Sequence, residues 1–321
     1  MDRNLALEFV RVTEAAAIAS SKWIGRGDGK KADGAAVKEM RARFNQIDFA
    51  GTVVIGEGSK DEAPELYRGE KVGRGWGNLS PQKGRGTPLM DLAIDPLECT
   101  DSVAFGRYNA ITVIAAGSKG SLLQGIDTYM EKIAVGPKAA KVIKLDASPA
   151  ANIKAAAKAL GKKVSDVTVV VLDRPRHKDL INQIRKAGAR VRLITDGDVA
   201  GAIAPCMPKS GIDMLLGVGA SAEAVLAGVA VKIMGGQLFC RFKPKEGHEQ
   251  LLKAAGLNTT KIYGVNDLAK GSQLTFTATG VIDGPLLEGV RFTENAIITH
   301  SMVVRGLSGT IRYITTHHHK K

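Results

Sequence analysis

The 321-residue sequence predicts an α/β protein, mixed α+β in its first half. Three observations predict it. Between residues 166 and 236, short β-branched runs alternate with amphipathic stretches, the rhythm of βαβ units with a parallel sheet. Residues 272–316 read instead as antiparallel strands joined by glycine turns. Aromatic residues make up only 5%, while alanine and glycine are plentiful, which suits closely packed layers.

Taken in order, residues 3–24 place Leu5, Phe9 and Val12 at helical spacing. Residues 25–34 form a loop by their glycines and charges, and "GAAVKEMRARFNQI" is a second helix. "AGTVVIGEG" is a short apolar strand ending in Glu57. Residues 73–88 are a basic loop, read as a surface insertion. Strands follow at 89–95, 109–117 and 128–135, then an alanine-rich helix over 150–161. The alternating part comprises strands in "DVTVVVLD", "ARVRLITDGD" and "IDMLLGVG". Helices in "HKDLINQIRKAG", "VAGAIAP" and "SAEAVLAGVAVKIMGG" follow them in turn. The closing "HHHKK" is kept out of the fold. A domain boundary is expected near residue 160, giving domains 1–160 and 161–321. Ligands of such sheets bind at the carboxyl ends of strands, where Glu57, Asp95 and Asp196 fall.

A net charge of +13 suits either nucleic acid or anionic small molecules. No RRM, helix-turn-helix or zinc-finger pattern is present, and basic residues are spread along the chain, so nucleic-acid binding is set aside. No apolar run approaches the ~20 residues of a membrane span. Cys99, Cys206 and Cys240 lack a CxxC pair and read as reduced thiols of a cytoplasmic protein.

"MDLAIDPLECTDS" carries the chemistry. Asp95 closes a strand, Pro96 starts a turn, and Glu98 folds back towards Asp95. Oxygen ligands of this kind suit Mg²⁺ or Mn²⁺. Thr100 adds a hydroxyl within reach of metal-bound water, a combination suited to phosphate-ester hydrolysis. A capped turn with solvated acids is the competing reading. Glu57 stands between two glycines that allow close approach to a ligand. Asp33 lies in a loop before a helix, as ligand or as cap. Arg174 and Arg176 offer forks for phosphate oxygens, or a solvated loop. Asp196 and Asp198 suit sugar hydroxyls, or a turn. His177 reads as a polar neighbour, because no partner histidine lies at ligand spacing. "GVGASAEA" lacks the third glycine of a dinucleotide motif.

"DPLECT" resembles the D-P-x-[DE]-G-[ST] signature of lithium-sensitive, metal-dependent sugar and inositol phosphatases. "EFVRVTEAAA", "KWIGRGD", "ADGAAV", "GTVVIGEG", "DEAPELYRGEKVG", "RPRHKDLI", "GARVRLITDGDVA" and "LLEGVR" together resemble class II fructose-1,6-bisphosphatases, in order along nearly the whole chain. The resemblance implies a layered sugar-phosphatase fold with alternating helix and sheet layers. It implies metal ligands at Asp33, Glu57, Asp95, Glu98 and Glu223, and Mn²⁺ or Mg²⁺ as cofactor. Catalysis would rest on Thr100, Glu57 and Asp95. Substrate contacts are implied at Glu98, Cys99 and Thr100, at Tyr129, at Arg174, Pro175 and Arg176, at Asp196, Gly197 and Asp198, and at Ala220. The expected substrate is fructose-1,6-bisphosphate, with sedoheptulose-1,7-bisphosphate a further one, and the expected assembly a homodimer or homotetramer.

The chain departs from the family pattern at several points. Cys99 replaces the motif glycine, Ser59 a glutamate, and Ala220 a glycine. Ala222 and Ala224 replace the Pro and Gly around Glu223. These departures keep two alternatives open: a catalytically weakened phosphosugar-binding homologue, and a related inositol or sugar monophosphatase.

Overall fold

The computed structural model describes residues 5–56, 66–78 and 87–320. It divides into two compact units. The first begins with α1 (Leu5–Ser21), α2 (Gly29–Phe44), β1 (Ala50–Gly56), β2 (Lys71–Val72), β3 (Leu89–Glu98), α3 (Thr100–Phe105) and β4 (Ala110–Ser118). The second, Gly125–Ala269, runs through β5 (Tyr129–Val135), α4 (Pro149–Leu160), β6 (Thr168–Leu172), α5 (Lys178–Lys186), β7 (Arg190–Ile194) and α6 (Val199–Ile203). It continues with β8 (Met214–Ala220), α7 (Ser221–Ile233), β9 (Gln237–Phe242), α8 (His248–Ala254), β10 (Tyr263–Gly264) and α9 (Val265–Leu268). The chain then returns to the first unit for β11 (Leu274–Ile282), β12 (Arg291–Phe292), β13 (Ala296–Arg305) and β14 (Thr310–His319).

The expected boundary near 160 is therefore wrong, for a hydrogen-bonding reason. β11 pairs antiparallel with β4, Leu274 opposite Gly117 and Ile282 opposite Ala110. The last strands thus complete a sheet begun by the first ones, in the order β12-β13-β11-β4-β3-β1-β2, with β14 on β13. The terminal histidines belong to this sheet too. β14 pairs with β13 as far as His319 opposite Ala296, and His318 Nε2 lies 3.0 Å from Thr299 Oγ1. α1 is fixed to the sheet by buried polar contacts: Thr279 donates to Thr13 at 2.7 Å, and Thr316 donates to the Glu14 carboxylate at 2.6 Å. Phe9, Phe44 and Phe49 interlock beneath α1 and α2, with Phe9 and Phe49 edge to face at 5.4 Å.

In the second unit the sheet order is β10-β9-β5-β8-β6-β7. β7, β6 and β8 run parallel, as the alternation predicted, while β5 joins β8 and β9 antiparallel. β6 is "TVVVL", buried along almost its whole length, because helices cover such strands on both faces. α4 and α5 bury Ile153, Ile181 and Ile184 against Val169 and Val171. α6 and α7 lie against β5, β8 and β9.

Two local expectations change. The loop before Asp33 is shorter than expected: α2 starts at Gly29, with the Asp28 carboxylate accepting from Lys31 N at 3.0 Å, so Asp33 lies inside the helix. The strand expected over 89–95 runs on to Glu98. Its ladder is interrupted between Asp95 and Glu98, where Pro96 has no N–H to offer. Within the basic loop, Arg74–Asn78 forms a 3₁₀ turn.

Candidate active site

In the first unit, parallel strands β1 and β3 end side by side, Gly56 opposite Ile94. Asp95 and Glu98 follow at 2% and 3% exposure. The Asp95 carboxylate folds over the bulge and accepts from Leu97 N at 3.0 Å. Thr100 opens α3 and donates its hydroxyl proton to Leu97 O at 2.9 Å, leaving its oxygen as an acceptor. Gly29 of α2 touches this residue: a Cβ there would come within 2.9 Å of Thr100 Cγ2. Asp33, four residues on, shares that face of α2. Asp33, Asp95, Glu98 and Thr100 thus belong to one region, at the strand ends and the α2–α3 contact. Glu57 and Ser59 lie outside the described residues.

Cys99 sits between Glu98 and Thr100 at φ 73°, the left-handed region that suits glycine. A side chain with a Cβ there costs about 1 kcal/mol or more. The buried thiol lies 3.5 Å from Asn109 Nδ2, which donates to it.

In the second unit, the carboxyl ends of β6, β7 and β8 and the start of antiparallel β5 come together, since Tyr129 pairs with Ala220. Each end delivers expected residues. After β6, Arg174 donates to Thr195 O at 2.5 Å and pairs with Asp196 at 3.2 Å. Pro175 starts the 3₁₀ turn that carries Arg176 and His177. Arg176 donates through Nε and Nη2 to Val218 O, at 3.2 and 2.8 Å, with its guanidinium 5.0 Å from the Tyr129 ring. After β7, Gly197 turns the chain at φ 53° into Asp198. His177 is a strut and not a ligand: Nε2 accepts from Val218 N at 2.8 Å and Nδ1 lies 2.8 Å from Leu172 O. Burial lowers its pKa, with the neighbouring Arg176 and Arg174 acting in the same direction.

Sequence reasoning missed the residue at the centre of this cluster. Lys132 of β5 is 1% exposed, with Nζ 2.7 and 2.8 Å from the Asp198 oxygens and 3.0 Å from Glu223 Oε2. Glu223 also accepts from Ala220 N at 2.6 Å and from Asp198 N at 3.3 Å. Burial, and then the Glu223 charge, push the Asp198 carboxyl up, while the two carboxylates hold the Lys132 ammonium protonated. Gly219 makes room for the group: a Cβ there would come within 2.1 Å of Asp198 Oδ2 and 2.9 Å of Lys132 Nζ. The signal in the sequence was a lone lysine inside "TYMEKIAV", a strand buried on both faces.

The donor chemistry of the first unit fits a hard divalent cation, since Asp33, Asp95 and Glu98 offer only carboxylate oxygens. Among the described residues no three His, Cys, Asp or Glu side chains are grouped closely enough to hold an ion by themselves. Glu223 fits less simply. An ion there would share a carboxylate already neutralised by Lys132.

The model of the family "Bacterial fructose-1,6-bisphosphatase, glpX-encoded" matches residues 3–318. The chain belongs to this family. It is 43% identical to "Fructose-1,6-bisphosphatase 1 class 2" of Escherichia coli strain K12, over 99% of this chain and 96% of that protein. The proteins named "Fructose-1,6-bisphosphatase class 2" from Escherichia coli O6:H1 and from Shigella flexneri match to the same extent. Cys99 and Ala220, two of the positions where the sequence departs from the expected pattern, stand at the starts of α3 and α7, beside Glu98 and close to Glu223.

Proposed function

We propose that the chain is a metal-dependent fructose-1,6-bisphosphatase that hydrolyses the 1-phosphate to give fructose 6-phosphate and inorganic phosphate. Membership of the family supports the reaction class. The observation that carries the chemistry is the β3–α3 junction, where two nearly buried carboxylates adjoin a hydroxyl whose oxygen is left as an acceptor.

Asp33, Glu57, Asp95 and Glu98 would hold Mg²⁺ or Mn²⁺. The bound cation would lower the pKa of the attacking water and offset phosphate charge. Thr100 Oγ1 would accept a hydrogen bond from that water and aim it, and a single carboxylate, Asp95 or Glu57, would take its proton. Arg174 and Arg176 supply charge for phosphate, and the Asp198 carboxylate and Asp196 accept from sugar hydroxyls. The Lys132 ammonium holds Asp198 in place for that task. The same reading puts the enzyme in the cytoplasm as a homodimer or homotetramer. Free thiols at Cys99, Cys206 and Cys240 support the reducing compartment.

The test is phosphate release from fructose-1,6-bisphosphate with Mn²⁺, Mg²⁺ or chelator, alongside sedoheptulose-1,7-bisphosphate and inositol-1-phosphate. Metal-dependent release from the bisphosphates is expected. Release from inositol-1-phosphate alone would make the chain a monophosphatase. No release from any of them by folded protein would favour the weakened homologue, with Cys99→Gly as the first reversal to try.

A further inference from the structure

Tyr129 is bracketed by two cations. Arg176 lies 5.0 Å from its ring and Lys245 Nζ 4.9 Å. Lys245 is exposed, yet the segment that carries it is anchored beside the tyrosine: Lys245 N donates to Thr128 Oγ1 at 3.0 Å, and Lys243 N donates to Tyr129 O at 2.8 Å. Thr128 is itself fully buried. The loop after β9 is therefore tied to the start of β5, which places the Cα of the lysine beside the ring its ammonium covers.

Three donors converge there with capacity to spare. Among the described residues, the Tyr129 hydroxyl has no hydrogen-bond partner and Lys245 no ion pair. Arg176 spends Nε and Nη2 on Val218 O and keeps Nη1. The neighbouring carboxylate, Asp127, is turned to the first turn of α7, where Ser221 Oγ and Ala222 N donate to it at 3.3 Å. A phenol, the remaining Nη1 of a guanidinium and an ammonium make an anion cradle, three donors for the three terminal oxygens of a phosphate monoester. The cradle holds donors and no group that could activate water, so it binds a phosphate without cleaving it.

We propose that Lys245 is a specificity-determining residue that completes, with Tyr129 and Arg176, the seat for the phosphate a sugar bisphosphate keeps through the reaction. The proposal rests on the phosphatase reading above. A sugar whose one phosphate is the one cleaved has nothing to offer this cradle, so the lysine favours bisphosphates.

The experiment compares the full chain with Lys245→Met and Lys245→Arg. For fructose-1,6-bisphosphate, Lys245→Met is expected to raise KM about tenfold, the loss of roughly one charged contact. kcat should change less than KM, and Lys245→Arg should restore most of the affinity. Inhibition by fructose 6-phosphate should weaken in the same proportion, and inhibition by inorganic phosphate should hold. An unchanged KM in Lys245→Met would overturn the proposal. So would a loss confined to inorganic phosphate, which would put the lysine on the phosphate that leaves. If the wild-type chain releases no phosphate, the reaction assignment fails, and calorimetric binding of fructose 6-phosphate decides the lysine separately. Weaker binding to Lys245→Met than to wild type supports it, and equal binding refutes it.

Discussion

Thr100 spends its only proton on Leu97 O, which fixes the orientation of its oxygen before any substrate arrives. Thr100→Ala removes an acceptor and little else. Turnover is expected to fall about 100-fold with KM nearly unchanged, and Thr100→Ser to recover most of the loss. Steady-state kinetics check both, and a rise in KM equal to the fall in kcat would show a binding residue instead. His177 gives a pH prediction. The neutral ring accepts from Val218 N, and its folded pKa lies below the ordinary 6.5. A depressed folded pKa means that the unfolded chain takes up the proton first. The stability contributed is fully present above about 6.5 and is lost as pH falls towards the depressed value. Urea midpoints at pH 7.5 and 5.5 should show this drop, and His177→Asn should flatten it. At this scale the sequence displayed the carboxylates at strand ends, because an acid after an apolar run is visible as such. Lys132 and Lys245 were hidden for opposite reasons. One is a charge inside a buried strand, where alternation gives no warning. The other looks like any surface lysine until its backbone hydrogen bond to Thr128 is seen.

The β5–β8 pair is the element that assembles the second cluster. It brings Tyr129 opposite Ala220 and Lys132 against both Asp198 and Glu223. Lys132→Met leaves two buried carboxylates without their counter-charge. It is expected to cost about 3–5 kcal/mol, a loss that denaturant unfolding would register. Adding Asp198→Asn should recover part of that loss, and failure to recover any would show that packing, not charge, is what the lysine supplies. The strands themselves were readable from period and β-branched content, and their helices from glycine stops. Partnership was not. β5 reads like the preceding strands β3 and β4, and only its hydrogen bonds assign it to the other sheet. The bulge at Pro96 was misjudged for a related reason: a missing N–H can end a strand or merely interrupt its ladder, and sequence shows only the missing donor.

For the whole molecule, the second unit is one continuous stretch and the first is not. A fragment of residues 125–269 is expected to fold alone, with a cooperative thermal transition and a near-ultraviolet dichroism signal. A fragment of residues 1–160 is expected to fail both measurements, because β4 has lost β11 and the sheet its far half. The opposite pattern would refute this division. Reading the chain as two consecutive halves erred because sequence proximity was taken for spatial proximity, and a strand's partner can lie anywhere in the chain.

The point where the chain leaves and re-enters the first unit is closed by a hydrogen bond, Lys270 N donating to Ser121 O at 2.7 Å. During synthesis that closure comes late. At translation speeds of roughly 5–20 residues per second, the stretch between Ser118 and Leu274 takes on the order of 10 s to leave the ribosome. Through that interval β4 waits with its edge open, while the inserted unit is already complete. The nascent chain therefore completes its second unit before its first, and the open edge of the half-built first sheet is what pairs last.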